Sequence, residues 1–120
     1  MAKEFRMFRG HCTSSTAPVT IIVPAAGSAN SLGETRAAST VAEVHGLTFC
    51  NIDTASAVNV YVTIYNGTTE HYLLDAVPVP AGSSLIYDKT ITLESLDRLR
   101  VWSDFAGDLD CTAATLLFTV

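Results

Sequence analysis

The residues that could do chemistry are few and widely separated along this chain. His11, His45 and His71 each stand alone, without a partner at the spacing of metal ligands or of a catalytic triad. Asp104 and the segment Asp108-Leu109-Asp110 could supply oxygen ligands to calcium, but they lack the glycine and distal glutamate of an EF-hand loop. We therefore expect ordinary strand histidines and a solvated acidic turn, with no bound metal.

Hydroxyl groups are plentiful but lack the context of a nucleophile. Thr13-Ser14-Ser15-Thr16 and Ser83-Ser84 have no glycine-framed elbow and no nearby base. No glycine-rich phosphate loop is present, and Asn66-Gly67-Thr68, which matches a glycosylation sequon, reads as a turn. The sequence predicts no enzymatic activity, no catalytic residue and no cofactor.

The cysteines do not form a recognisable framework. Cys12, Cys50 and Cys111 are odd in number, widely spaced and without a Cys-x-x-Cys pair. Paired disulfides and a zinc site are therefore not expected. Since Cys50 and Cys111 lie in strand-like runs, we expect free thiols that pack as small apolar side chains.

The composition describes a small acidic globular protein. The 120 residues suit one domain, residues 1–120, and the 16% of charged residues falls below the usual ~25%. A weakly charged surface favours contacts with other protein, whereas a net charge of −5 argues against nucleic-acid binding. No apolar run approaches the ~18 residues of a membrane helix, and the charged start is not expected to act as a signal peptide.

Period-two alternation dominates the chain and indicates strands. Val58, Val60, Val62 and Ile64 share one face of a strand and should be buried, and Asn66-Gly67 should turn it into a hairpin. Eight or nine short runs of this kind, with no convincing helix, predict an all-β fold. We expect a single antiparallel β-sandwich, either jelly-roll or immunoglobulin-like.

Two segments depart from the regular pattern. Residues 25–40 are small and polar with two glycines, and they predict a long surface loop. In the last strand Leu109, Cys111 and Ala113 share one parity, whereas Leu116, Phe118 and Val120 share the other. That change predicts a β-bulge near Ala113-Ala114.

Five segments, in order, carry a family resemblance. They are Leu47-Thr-Phe-Cys-Asn-Ile-Asp53, Val58–Tyr65, Val77-Pro-Val-Pro-Ala-Gly-Ser-Ser-Leu85, Ile91-Thr-Leu93 and Asp97-Arg-Leu-Arg-Val101. This order resembles small virion structural proteins of tailed bacteriophages, in which an N-I-D/T strand end, a PAGSSL corner and an L…D.L.V.S strand precede a β-rich C-terminus. The resemblance covers about residues 41–120 and leaves the first 40 outside it.

The resemblance implies a non-enzymatic building block of the virion. The chain would be present in many copies, form a homo-oligomer and assemble in the host cytoplasm. Its partners would be other virion proteins: the major capsid protein for a capsid decoration or cement protein, or neck and tail proteins for a neck, tail or fibre-adaptor component. A carbohydrate-binding module is the rival from another class. It requires Trp102 and at least one tyrosine exposed side by side beside a polar groove.

The N-terminus is the segment most suited to a partner contact. Residues 1–16 could form an arm, and residues 1–12 carry a net charge of +2 on a body of −7. Apolar residues fall on both faces of this predicted strand, so an open edge exposes one of them either way. Two alternatives stay open: the segment pairs as a first strand within its own sandwich, or it forms an assembly interface through Lys3, Phe5, Arg6, Met7, Phe8 and Arg9.

Overall fold

Nine strands account for the regular structure of the described residues. The computed structural model describes the main chain of residues 2–11, 19–22, 40–94, 97–104 and 109–119. The strands are β1 (Ala2–His11), β2 (Val19–Ile22), β3 (Thr40–Asn51), β4 (Val58–Tyr65), β5 (Glu70–Val79), β6 (Ser84–Tyr87), β7 (Ile91–Leu93), β8 (Arg98–Ser103) and β9 (Leu109–Thr119). Over these ranges no helix has the length and apolar character needed to span a bilayer.

The strands form two antiparallel sheets with a nested connectivity. The first sheet, sheet A, has the order β1-β9-β3-β6, with β7 also paired to β3; the second, sheet B, has the order β2-β8-β4-β5. The hairpin β4–β5 is innermost, and the pairs β3–β6, β2–β8 and β1–β9 enclose it in turn. This folded-over hairpin, alternating between two sheets, is the jelly-roll form of the predicted sandwich.

The core lies between the sheets and follows the predicted alternation on β4. Val58, Val60 and Val62 are buried, and Ile64 is half-buried against the core, so the predicted face is the inner one. Thr63, on the opposite face, is also buried, because Glu70 and Arg100 cover it. The remaining buried apolar side chains come from both sheets: Phe8, Ala42, Val44, Leu47, Phe49, Val79, Ile91, Leu93, Leu99, Val101, Leu109, Cys111, Ala113 and Leu117.

The β4–β5 hairpin turns at the predicted Asn66-Gly67 pair. Gly67 has a φ of 101°, a value that L side chains rarely adopt, and so supplies the conformation that the turn requires. The side-chain Oδ1 of Asn66 accepts hydrogen bonds from the amides of Thr68 and Thr69, at 3.0 and 2.8 Å. The turn therefore spans the four residues Asn66 to Thr69 rather than two.

The bulge predicted in β9 lies instead in its neighbour β3. Strand β9 keeps one parity inside along its whole length, with Thr115 and Leu117 buried like Cys111 and Ala113. The register with β3 shifts between Val44 and Gly46, so that His45 is the extra residue. The even-numbered Leu116 and Phe118, each half-buried, therefore face outward from sheet A.

Part of the predicted organisation falls outside the described residues. This holds for residues 12–16 of the predicted arm and for residues 25–39 of the predicted surface loop. Thr40, the last residue assigned to that loop, is the first residue of β3.

Candidate interaction surface

The predicted arm contributes strand β1, which forms one edge of sheet A. Its main chain pairs with β9 of the same chain from Ala2 to His11, so residues 2–11 are a first strand of their own sandwich. Phe8 points inward and is only 3% exposed, whereas Phe5 and Met7 point outward and are 80% and 50% exposed. The side of β1 away from β9 has no strand partner among the described residues.

Apolar side chains surround Phe5 and Met7 on the outer face of sheet A. Phe5 lies opposite Leu116 of β9, and Met7 lies opposite the exposed Ala114. Phe5, Met7, Ala114 and His45 line part of a shallow depression of about 310 Å³. We call the set Phe5, Met7, Ala114, Leu116 and Phe118 the outer patch. A contiguous apolar surface of this kind on a small protein is typical of an interaction site.

Strand β1 carries positive charge beside the outer patch. Arg9 is exposed on the same face as Met7, and Arg6, on the inner face of the strand, packs its guanidinium 5.4 Å from the ring centre of Phe8. With Lys3 and Glu4, strand β1 carries a net charge of +2 on an otherwise acidic protein. The strand therefore combines apolar and positive groups, a combination suited to an acidic protein surface.

Three of the five residues of the outer patch, Ala114, Leu116 and Phe118, could not be identified from the sequence. Phe5 and Met7 are among the predicted interface residues, whereas the apparent change of parity in β9 leaves the direction of Leu116 and Phe118 undecided. The signal that would have identified them is Leu117, which continues the odd-numbered series from Leu109 without interruption. The pairing of β9 between β1 and β3 then brings Leu116 beside Phe5.

The histidines lie in separate places, and two of them have acidic neighbours. His11 contacts the carboxylate of Asp110, and the Nε2 of His45 lies 3.1 Å from a carboxylate oxygen of Glu43. His71 is exposed on β5. His11 and His45 therefore each pair with a single carboxylate.

The candidate calcium ligands contact different partners. Asp104 accepts hydrogen bonds from the amide and the side-chain nitrogen of Asn59, at 2.8 and 2.9 Å, while Asp110 contacts His11. Asp108 lies outside the described residues. Across the part of the chain that the structure describes, His, Cys, Asp and Glu form no group of three that could hold a metal ion. Cys50 and Cys111 are free thiols, and Cys12 lies outside the described ranges.

The aromatic residues on the outer face of sheet B contact one another. Tyr61 and Trp102 stack with their ring centres 5.3 Å apart and their planes at 5°, and Tyr72 meets Trp102 edge-on at 5.8 Å. Tyr72 is 55% exposed, whereas the other two are half-buried. Each stacked ring thus has one face covered by the other, which reduces the flat surface that a sugar ring would need.

The motif residues of the family resemblance meet at one end of the sandwich. Asn51, at the end of β3, is buried, and its Nδ2 donates to the carbonyl oxygens of Ser56 and Val79 at 2.9 and 3.0 Å. The main-chain amide of Asn51 donates to the carbonyl of Ser83, and the main-chain amide of Gly82 donates to the carbonyl of Asp53. The N-I-D strand end and the PAGSSL corner are therefore bonded together, and their role is structural.

Comparison with known proteins yields only distant structural similarity. No family model matches the chain, and no curated protein matches it. A solved structure of Eiger, a TNF from S. frugiperda, is 16% identical, with a TM-score of 0.48 over 97% of this chain and 92% of that one. A pentameric capsid protein from metagenomic phage sequences is also 16% identical, with a TM-score of 0.42; the match covers 97% of this chain and 65% of that chain's length. At these identities and TM-scores, neither similarity assigns a family or a function.

Proposed function

We propose that this chain is a non-enzymatic structural protein of a tailed-phage virion, and specifically a decoration protein that binds the head shell. The observation that carries the proposal is the outer patch on a positively charged edge strand. Phe5 and Met7 stay in water in the single chain, so burying them against a partner is favourable by roughly 25 cal/mol per Å² of apolar surface.

The internal construction of the chain supports a building-block role. The segments that resemble virion proteins supply β3, β4 and the β5–β6 corner, and their polar groups are used internally, as the Asn51 bonds illustrate. Chemistry would require such groups to face a substrate. A sandwich whose described buried polar side chains have hydrogen-bond partners, and which carries an apolar patch on the outer face of sheet A, is suited to repeated docking on a larger surface.

Two alternative functions predict a different binding location or a different binding surface. A neck, tail or fibre-adaptor component would use the outer patch in the same way but at another place on the particle. A carbohydrate-binding module would use Trp102 and Tyr72 on sheet B and would be indifferent to Phe5 and Met7. The location of the chain on the particle therefore distinguishes the first alternative from a decoration protein, and the surface used for binding distinguishes the second.

The test is a binding experiment with particles that lack this protein. Purified wild-type chain should co-sediment with their heads, and the double variant Phe5→Ser/Met7→Ser should bind at least about tenfold more weakly, since truncating two central apolar anchors removes roughly 2 kcal/mol or more. Ile52→Ser, which changes an exposed apolar residue at the end of β3 far along the sheet from Phe5 and Met7, is the matched control and should bind normally. Undiminished binding of the double variant, or binding lost by Trp102→Ala instead, would contradict the proposal.

A further inference from the structure

Of the described edge strands, β1 is the one with a long and regularly paired segment and no second strand partner among the described residues. Its register with β9 runs through ten residues without a shift. In sheet B, the edge strand β2 has only four residues and a register shift, and the other edge strand, β5, has two register shifts, a positive φ of 53° at Ala76 and a proline at position 78. Bulges and prolines prevent an edge from pairing with another strand, and β1 has neither.

Charge is the one protective feature that β1 does have, and it acts selectively. Because the strand carries a net +2, pairing with the β1 of a second copy would bring like charges together. The same charge favours an acidic edge. The positive charge thus disfavours a symmetric β1–β1 dimer and leaves unlike edges free to pair.

The opposite edge of sheet A matches β1 in length and direction. Strands β6 and β7 follow one another along the same side of β3, pairing with it from Cys50 to Leu47 and from Val44 to Ala42. This edge therefore extends over Ser84–Leu93, the length of β1, with residues 88–90 lying outside regular β-structure between the two strands. Since each neighbouring pair from β1 to β6 is antiparallel, β6 runs opposite to β1, and a second copy in the same orientation would continue the alternation.

The side chains of this edge also complement those of β1. Ile86 is 68% exposed on the outer face of sheet A, the face that carries Phe5 and Met7. Asp88 and Lys89 are the charged residues within Ser84–Leu93, and Glu94 follows directly after β7. Within one chain, Arg9 and Ile86 lie in the same cross-strand row, which runs through Thr112 and Thr48. If a second copy continues sheet A without a shift in register, its Arg9 lies beside Ile86 and near Asp88.

We infer that this protein assembles with copies of itself head to tail, with β1 of one subunit paired antiparallel to the β6–β7 edge of the next. Sheet A then continues from subunit to subunit, and the outer patch of one chain adjoins Ile86 of its neighbour. An interface between unlike edges repeats, so the assembly is a closed ring or an open filament of more than two copies. The inference goes beyond the proposed function and stands without it.

Native mass spectrometry and light scattering over a dilution series of the purified protein test this arrangement. Wild type should form assemblies larger than a dimer. Arg9→Glu and Asp88→Lys should each weaken assembly roughly tenfold, since each replaces an attraction by a repulsion. The double variant Arg9→Glu/Asp88→Lys should restore assembly, because the charges are exchanged. Arg9→Lys, and Asp75→Lys on the exposed edge of sheet B, are the controls and should assemble like wild type.

Three results would overturn the inference. The first is a wild-type protein that stays monomeric throughout the series. The second is a double variant that remains as weak as the single variants while circular dichroism shows that it is folded. The third is a dimer that Arg9→Glu strengthens and Asp88→Lys leaves unchanged, since that pattern belongs to a β1–β1 contact. No particle enters the experiment, so its outcome is independent of head binding.

Discussion

The buried side chain of Asn51 donates a hydrogen bond to the main-chain carbonyl of Val79 at 3.0 Å, joining the end of β3 to the end of β5. The Nδ2 of Asn51 donates a second hydrogen bond to the carbonyl of Ser56. Its Oδ1 accepts a hydrogen bond from the main-chain amide of Asp53 at 3.0 Å. Because these partners are main-chain groups, the bonds fix the positions of two connections between the sheets. Asn51 is therefore a structural residue of the corner.

Asn51→Ala is predicted to destabilise the fold without altering its surface. The substitution leaves main-chain groups unpaired in a partly buried place, which should lower the free energy of unfolding by about 2–4 kcal/mol. Urea denaturation followed by circular dichroism measures this change. Ser56→Ala keeps the main-chain acceptor and alters only an exposed side chain, so it should change stability by less than about 0.5 kcal/mol. Equal stability of the two variants would disprove the role of Asn51.

Val60→Asp is predicted to prevent soluble folding. Val60 is fully buried at the centre of β4, and an unpaired carboxylate there costs several kcal/mol, comparable to the whole stability of a small domain. Soluble yield and circular dichroism give the readout. His71→Asp, on the exposed side of the partner strand β5, introduces the same group and should fold. A folded Val60→Asp protein would mean that Val60 does not lie on the inner face of β4.

Gly67→Ala is predicted to destabilise the protein by about 1 kcal/mol, because a φ of 101° strains any residue with a Cβ. Thermal denaturation measures the change. Gly46→Ala is the matched control: a Cβ there would meet its nearest neighbour, the carbonyl oxygen of Tyr87, at an ordinary 3.9 Å. Gly46→Ala should therefore be the milder substitution. The reverse order would argue against the described turn.

The three cysteines are predicted to react as three thiols in denatured, non-reduced protein. In the native state Cys50 is half-buried and Cys111 is buried in the core, so Cys50 should react with an aromatic disulfide reagent well before Cys111. The time course of thiol release measures this difference. A single titratable thiol after denaturation would indicate a disulfide and contradict the prediction.

The sequence predicts the sandwich well because the alternation on β4 and the Asn66-Gly67 turn are local signals. Which sheet edge is open, and what covers it, depends on strand order, which local patterns do not contain. The alternation in β1 shows that Phe5 and Phe8 point in opposite directions but does not say which is buried. Similarly, Leu116 resembles a core residue until pairing with β1 places it beside Phe5. The bulge at His45 could not be predicted, since it arises from the register of two distant strands.

Cryo-electron microscopy of purified virions containing this chain tests the central claim most directly. The account predicts many symmetrically placed copies on the outside of the head, with Phe5 and Met7 buried against a neighbouring protein and Trp102 on a surface away from that contact. Density for the chain on the head with Phe5 and Met7 exposed to solvent, or virions that contain no copy of the chain, would contradict it.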